Sequence, residues 1–123
     1  MALKRALRIP VKVTTGSAGL VDVKAPPVES DQVHCYQQVA WEISKATSGG
    51  KTRARLYIEG RGWKHYLAEQ DAPAADTLYT YTKQPYLTAR ERLCLEIDQA
   101  QASTVVKMWL TGYNVESKEE IVT

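Results

Sequence analysis

The feature that most constrains this chain is a side-chain alternation of period two that recurs along most of its length. A strand sends successive side chains to opposite faces, whereas a helix repeats every 3.6 residues. Leu7, Ile9, Val11 and Val13 alternate with Arg8, Pro10 and Lys12. The longest run is 33–43. Val33, Cys35, Val39, Trp41 and Ile43 share one face, and His34, Tyr36, Gln38 and Glu42 share the other. Gln37 is the polar intruder on the apolar face and reads as a bulge. Further strands are predicted at 20–24, 53–59, 63–69, 77–82, 85–88, 92–98 and 105–113. In 53–59, Ala54, Leu56 and Ile58 point inward. In 92–98, Leu93, Leu95 and Ile97 point inward, with Arg92, Cys94, Glu96 and Asp98 outward. Gly112 is expected to end the last strand.

Turn signals separate these runs: 14–19, Ala25-Pro26-Pro27, 46–51 with its Ser48-Gly49-Gly50, Gly60-Arg61-Gly62, and 71–76. Pro10 has no N–H to give a ladder, so the first run is an edge strand or an extended arm. Helical spacing is nearly absent. Its one trace is a capping-box pattern of Ser117 with Glu120. The expected fold is therefore all-β: an antiparallel, jelly-roll-like β-sandwich of about eight or nine short strands with an extended N-terminal arm. The 123 residues suit one domain. They divide into an arm or edge strand at 1–27, the sandwich at 28–115 and a charged tail at 116–123.

Charge is nearly balanced, with 16 Lys plus Arg against 14 Asp plus Glu, which does not suit nucleic-acid binding over a whole face. The distribution is less even. Lys4, Arg5, Arg8 and Lys12 stand near the start without an acid among them, and Glu116, Glu119 and Glu120 stand near the end against Lys118. A basic segment and an acidic tail suit subunit contacts or an anionic partner. No apolar run near the start is long enough for a signal h-region, and no window reaches the roughly 20 apolar residues of a membrane span. The expectation is a protein made in a cytoplasm without a signal peptide and without a membrane partner. Cys35 and Cys94 are read as two reduced, partly buried thiols.

Patterns that would carry catalysis are weak. Gly50-Lys51-Thr52 lacks the earlier glycine of a phosphate loop, since position 45 is Lys, and strand alternation rather than a helix follows it. His34 and Cys35 are strand neighbours on opposite faces and do not chelate one ion together. No local signature pairs Cys94 with His34 or His65 as nucleophile and base. Glu96 and Asp98 lie about 6–7 Å apart along a strand, a spacing that suits a glycosidase pair but is also common on a solvent face. No catalytic, cofactor-binding or metal residue is assigned; the chain is expected to be non-enzymatic and cofactor-free.

The aromatic set is lopsided: seven Tyr, three Trp and no Phe. Such rings have an apolar body and a polar tip. Trp63, Tyr79, Tyr81 and Trp109 are the candidate aromatic docking surface, with Tyr66, Tyr86 and Tyr113 nearby in sequence. Arg53, Arg55, Arg61 and Lys64 do not form the continuous basic stripe that single-stranded nucleic acid requires.

Over about half the chain the order of signals is similar to that of a known group. It runs Arg55-Leu56-Tyr57-Ile58-Glu59-Gly60, Trp63-Lys64-His65-Tyr66-Leu67, the 69–79 segment through Asp71, Pro73, Asp76 and Tyr79, then Pro85-Tyr86-Leu87, Glu91-Arg92-Leu93 and Trp109-Leu110-Thr111-Gly112-Tyr113. This resembles small β-sandwich virion proteins of tailed bacteriophages. The shared residues mark turns and core, so no functional residue carries over. The resemblance implies a virion structural protein: a capsid decoration or cement protein, or a head–tail accessory subunit. It implies the virion as its location and, as partners, the major capsid protein, other virion proteins and its own copies in a homo-oligomer. The 1–27 segment then suits strand addition to a neighbour, with Leu7, Ile9, Val11 and Val13 as pocket residues and Arg5 and Arg8 as charged contacts. The alternative is a carbohydrate- or receptor-binding sandwich that takes a glycan on its aromatic surface.

Overall fold

The computed structural model describes residues 4–47 and 52–116. It contains nine strands: β1 (Lys4–Thr14), β2 (Gly19–Lys24), β3 (Gln32–Ile43), β4 (Arg53–Gly60), β5 (Trp63–Asp71), β6 (Tyr79–Tyr81), β7 (Tyr86–Leu87), β8 (Arg92–Ala100) and β9 (Val105–Glu116). Each segment read as a strand contains one. No helix occurs among the described residues. The Ser48-Gly49-Gly50 turn, most of the Gly50-Lys51-Thr52 segment, the Ser117 capping pattern and the tail beyond Glu116 lie outside the described residues.

The strands form two antiparallel sheets. One, called here the long sheet, has the order β1-β9-β3-β6, with β7 also beside β3; the other, the short sheet, has the order β2-β8-β4-β5. The chain changes sheet at most connections, and the β4–β5 hairpin stays within one. This is a jelly-roll-like sandwich. Its cause is the alternation itself, since each sheet has one apolar face that only a second layer can cover. Val39, Trp41, Ile43, Val106, Met108 and Leu110 from the long sheet meet Leu56, Leu93, Leu95 and Ile97 from the short sheet, all buried. Each such side chain contributes about 1.5–3 kcal/mol through burial.

The bulge falls where Gln37 predicts it: pairing with β9 steps from Tyr36↔Gly112 to Gln38↔Thr111. Its consequence differs from the sequence reading. The extra residue reverses the faces on its N-terminal side. His34 and Tyr36 therefore point inward and are 7% and 1% exposed, while Val33 and Cys35 face outward. The role of Gly112 changes with it. Gly112 does not end β9; it sits inside the strand opposite the bulge. A Cβ there would overlap the Cys35 carbonyl oxygen and lie 2.8 Å from Tyr36 Cα. Glycine is required because backbone meets backbone.

The segment read as an arm or edge strand pairs within its own chain. β1 pairs with β9 from Lys4↔Val115 to Thr14↔Val105, and β2 pairs with β8. Leu7, Ile9, Val11 and Val13 pack against the chain's own core, half-buried. Pro10 stands on an edge strand, the position in a sheet where proline is tolerated.

Candidate functional site

The outward faces of the two sheets are built from similar residue types and differ in how the charges are met. On the short sheet, Tyr57 lies at the centre, fully buried although it points away from the core. Its hydroxyl donates to Asp22 Oδ1 at 2.8 Å. Tyr66 packs its ring 5.5 Å away, and Lys64 Nζ lies 5.0 Å over the Tyr57 ring. Burial, reinforced by the Asp22 hydrogen bond, pushes the phenol well above its usual range. Arg55 reaches Glu69 at 3.0 Å, Glu96 at 3.2 Å and Asp98 at 4.0 Å. Lys64 reaches Glu96 at 3.5 Å and Lys24 reaches Glu59 at 3.0 Å. Arg53 completes the set with Glu69 and Asp71. Glu96 and Asp98 are thus held by one guanidinium, an ion-pair arrangement and not a paired acid and base. Cys94, read as a partly buried thiol on the outward side of its strand, is fully covered; burial, with Glu59 nearby, raises its thiol to about 11.

The outward face of the long sheet carries Lys4, Arg8, Lys12 and Lys107 against Glu42 on its three long strands. Lys4 Nζ lies 4.7 Å over the Tyr113 ring. Arg8, Lys12 and Lys107 make no hydrogen bond or ion pair to any described residue. Trp109 lies between Pro10 and Ala40 in the register, and Tyr113 between Ala6 and Cys35. A half-buried aromatic stripe bordered by unpaired cations results. Arg5 lies off this face, opposite Asn114 and beside Gln32 and Glu116 at the sandwich end. Cys35 and Cys94 are free thiols on the outward faces of different sheets.

A third feature lies along the flank where β5 faces β6 and β7. A cleft of about 610 Å³ opens there, lined by Arg61, Trp63, Tyr81, Lys83, Tyr86 and neighbouring residues. Trp63 is 78% exposed and Tyr86 is 67% exposed. The two-residue Arg61-Gly62 hairpin turn, with both φ positive, places Trp63 at the lip.

The four aromatics predicted as one docking surface therefore separate. Trp63 and Tyr81 meet at the cleft. Tyr79 stacks on buried Trp41 with ring centroids 4.5 Å apart, and its hydroxyl accepts from the Ala74 N–H. Trp109 belongs to the outward face of the long sheet. Tyr86 and Lys83, absent from the predicted set, join the cleft because β7 lies beside β3, a placement with no local sequence signal.

No protein-family model matches the chain, and no curated protein matches it by sequence. Among solved structures it is similar to a chain in the acidic stable capsid structure of Helicobacter pylori bacteriophage KHP30. The two share 15% identity over 94% of this chain and 99% of that one, with a TM-score of 0.58. At that identity the likeness is one of fold. Murine APRIL (11% identity, 86% and 100% of the two chains, TM-score 0.47) and the carbohydrate-binding module CBM4 (11%, 89% and 84%, TM-score 0.40) are more distant superpositions.

Proposed function

We propose that this chain is a non-enzymatic structural subunit of a phage virion, of the capsid decoration, cement or head–tail accessory kind. The observation that carries the docking role is the unequal treatment of the two outward faces. The short sheet meets its own charges, whereas the long sheet leaves Arg8, Lys12 and Lys107 unmatched among the described residues beside Trp109 and Tyr113. Aromatic anchors ringed by charge form the centre of many interfaces. The whole-length likeness to a phage capsid chain supports the class of particle.

On this reading the long sheet's face meets an acidic surface on the major capsid protein, another virion protein or a second copy. The β1 edge offers strand addition as a further contact. Size-exclusion chromatography with light scattering on the full chain tests it. The expected mass is a multiple of 13.8 kDa. A double substitution, Lys12→Glu with Trp109→Ala, should return the protein to a monomer. A monomer at every concentration would overturn self-association. An oligomer indifferent to the double substitution would overturn the choice of face.

A further inference from the structure

We propose that the cleft between β5 and the β6–β7 edge is a binding site for an oligosaccharide bearing carboxylated sugars, of the uronic or sialic acid class. This goes beyond the subunit role and uses a different part of the surface. The cleft volume falls within the roughly 300–1,000 Å³ of small-ligand sites. Its lip carries the Trp63 indole with three-quarters of its surface in water, and the exposed Tyr86 ring lines the same cleft. A flat ring so placed can stack on the C–H face of a pyranose, and Tyr86 offers a second ring nearby.

The charges select the kind of sugar. Arg61 comes from the β4–β5 turn and Lys83 from the β6–β7 connection, so cations stand on both sides of the cleft. Neither makes a hydrogen bond or ion pair to any described residue. The lining also holds one carboxylate, Glu91, whose Oε1 accepts from the Thr88 N–H at 2.7 Å and Oγ1 at 2.9 Å, so the two cations outnumber it. Two cations from separate connections, lining one cleft with exposed rings, fit a carboxylate carried on a sugar. A nucleic-acid strand is disfavoured. Its phosphates would need a continuous cationic track, and β5 continues away from the lip through Glu69 and Asp71.

Intrinsic-fluorescence titration of the full chain tests the site, with tetragalacturonic acid and sialyllactose as probes and cellotetraose and oligo-dT as comparisons. At least one acidic sugar should bind, and more weakly as salt is raised. Trp63→Ala, at an exposed position, should weaken binding about fivefold or more. Arg61→Gln with Lys83→Gln should weaken it and flatten the salt dependence. Tyr86→Ala is the second aromatic variant, and circular dichroism checks each fold. No acidic binder at millimolar concentration would overturn the site. So would equal binding of cellotetraose, tighter binding of oligo-dT, or affinities unmoved by Trp63→Ala and the double cation variant. All these variants should leave the oligomeric mass unchanged, which separates failure here from failure of the subunit reading.

Discussion

On the outer face of the β2-β8-β4-β5 sheet, Arg55 reaches three carboxylates. On the outer face of the β1-β9-β3-β6 sheet, Arg8, Lys12 and Lys107 make no hydrogen bond or ion pair to a described residue. Both faces come from the same alternation of apolar and polar residues. The difference is cross-strand pairing. In the first sheet Arg55 stands opposite Glu69 on one side and Glu96 on the other. In the second, Lys12 stands opposite Lys107 and Arg8 opposite Thr111, and Lys107 has Glu42 as its other neighbour without an ion pair between them. Opposite charges side by side stabilise a sheet and like charges weaken it. One face is thus closed on itself, and the other keeps charge that a partner can meet.

The largest test of this contrast lies where each sheet is kinked. Gly112→Ala should cost about 3 kcal/mol or more in urea denaturation, since the new methyl meets the Cys35–Tyr36 backbone. Leu67→Ala, at the bulge between β4 and β5, should cost about 1 kcal/mol, because only a half-buried side chain is trimmed. Equal losses would remove the distinction between a kink built on backbone contact and one built on side chains.

Next come the charges. Arg55→Met should cost about 2 kcal/mol, because Glu96, with a side chain 9% exposed, would keep only Lys64. Lys12→Ser should stay within about 0.5 kcal/mol of the parent chain in the same measurement. A large effect at Lys12 would mean that the long sheet's charges serve its own stability.

A smaller effect follows from His34. Burial lowers its affinity for a proton below that of an ordinary histidine, against the opposing pull of Glu29, and its Nδ1 shares a 3.0 Å hydrogen bond with Tyr36 OH. The unfolded chain takes up the proton first as pH falls. Stability is therefore complete above about pH 6.5 and declines below it, until the folded-state imidazole also titrates. Denaturation midpoints between pH 7.5 and about 5 should show this decline, and His34→Gln should flatten it. An unchanged slope in the variant would place the titrating group elsewhere.

The mildest probe uses one thiol per face. Cys35 is half-buried on the long sheet, while Cys94 is covered and its thiol raised to about 11. Thiolate is the reactive form, so a disulfide reagent at pH 8 should label Cys35 first and Cys94 only on unfolding. Simultaneous labelling would show that the short sheet's outer cover opens readily.

Much of the fold was legible in the chain because alternation is a local property. The strand positions, the bulge at Gln37 and the edge position forced by Pro10 follow from neighbours a few residues apart. The alternation by itself carries no sign of the face reversal at the bulge, so it puts His34 and Tyr36 on the outward face. Gly112 looked like a terminator because its reason for being glycine sits on another strand, in the Cys35 carbonyl. The aromatic surface was legible only as a list of rings. Trp63 and Tyr81 meet across sheets, Tyr79 turns inward onto Trp41, and Arg61 and Lys83 become opposite lips of a cleft once β7 lies beside β3.

The sequence by itself determined an all-β chain with two-faced strands, because the period of its side chains leaves each strand one apolar face to bury. Strand order, the partner of each charge, and which rings stay in water were decided only in the tertiary structure. Those depend on contacts between residues tens of positions apart, and no local pattern encodes which strand will lie beside which.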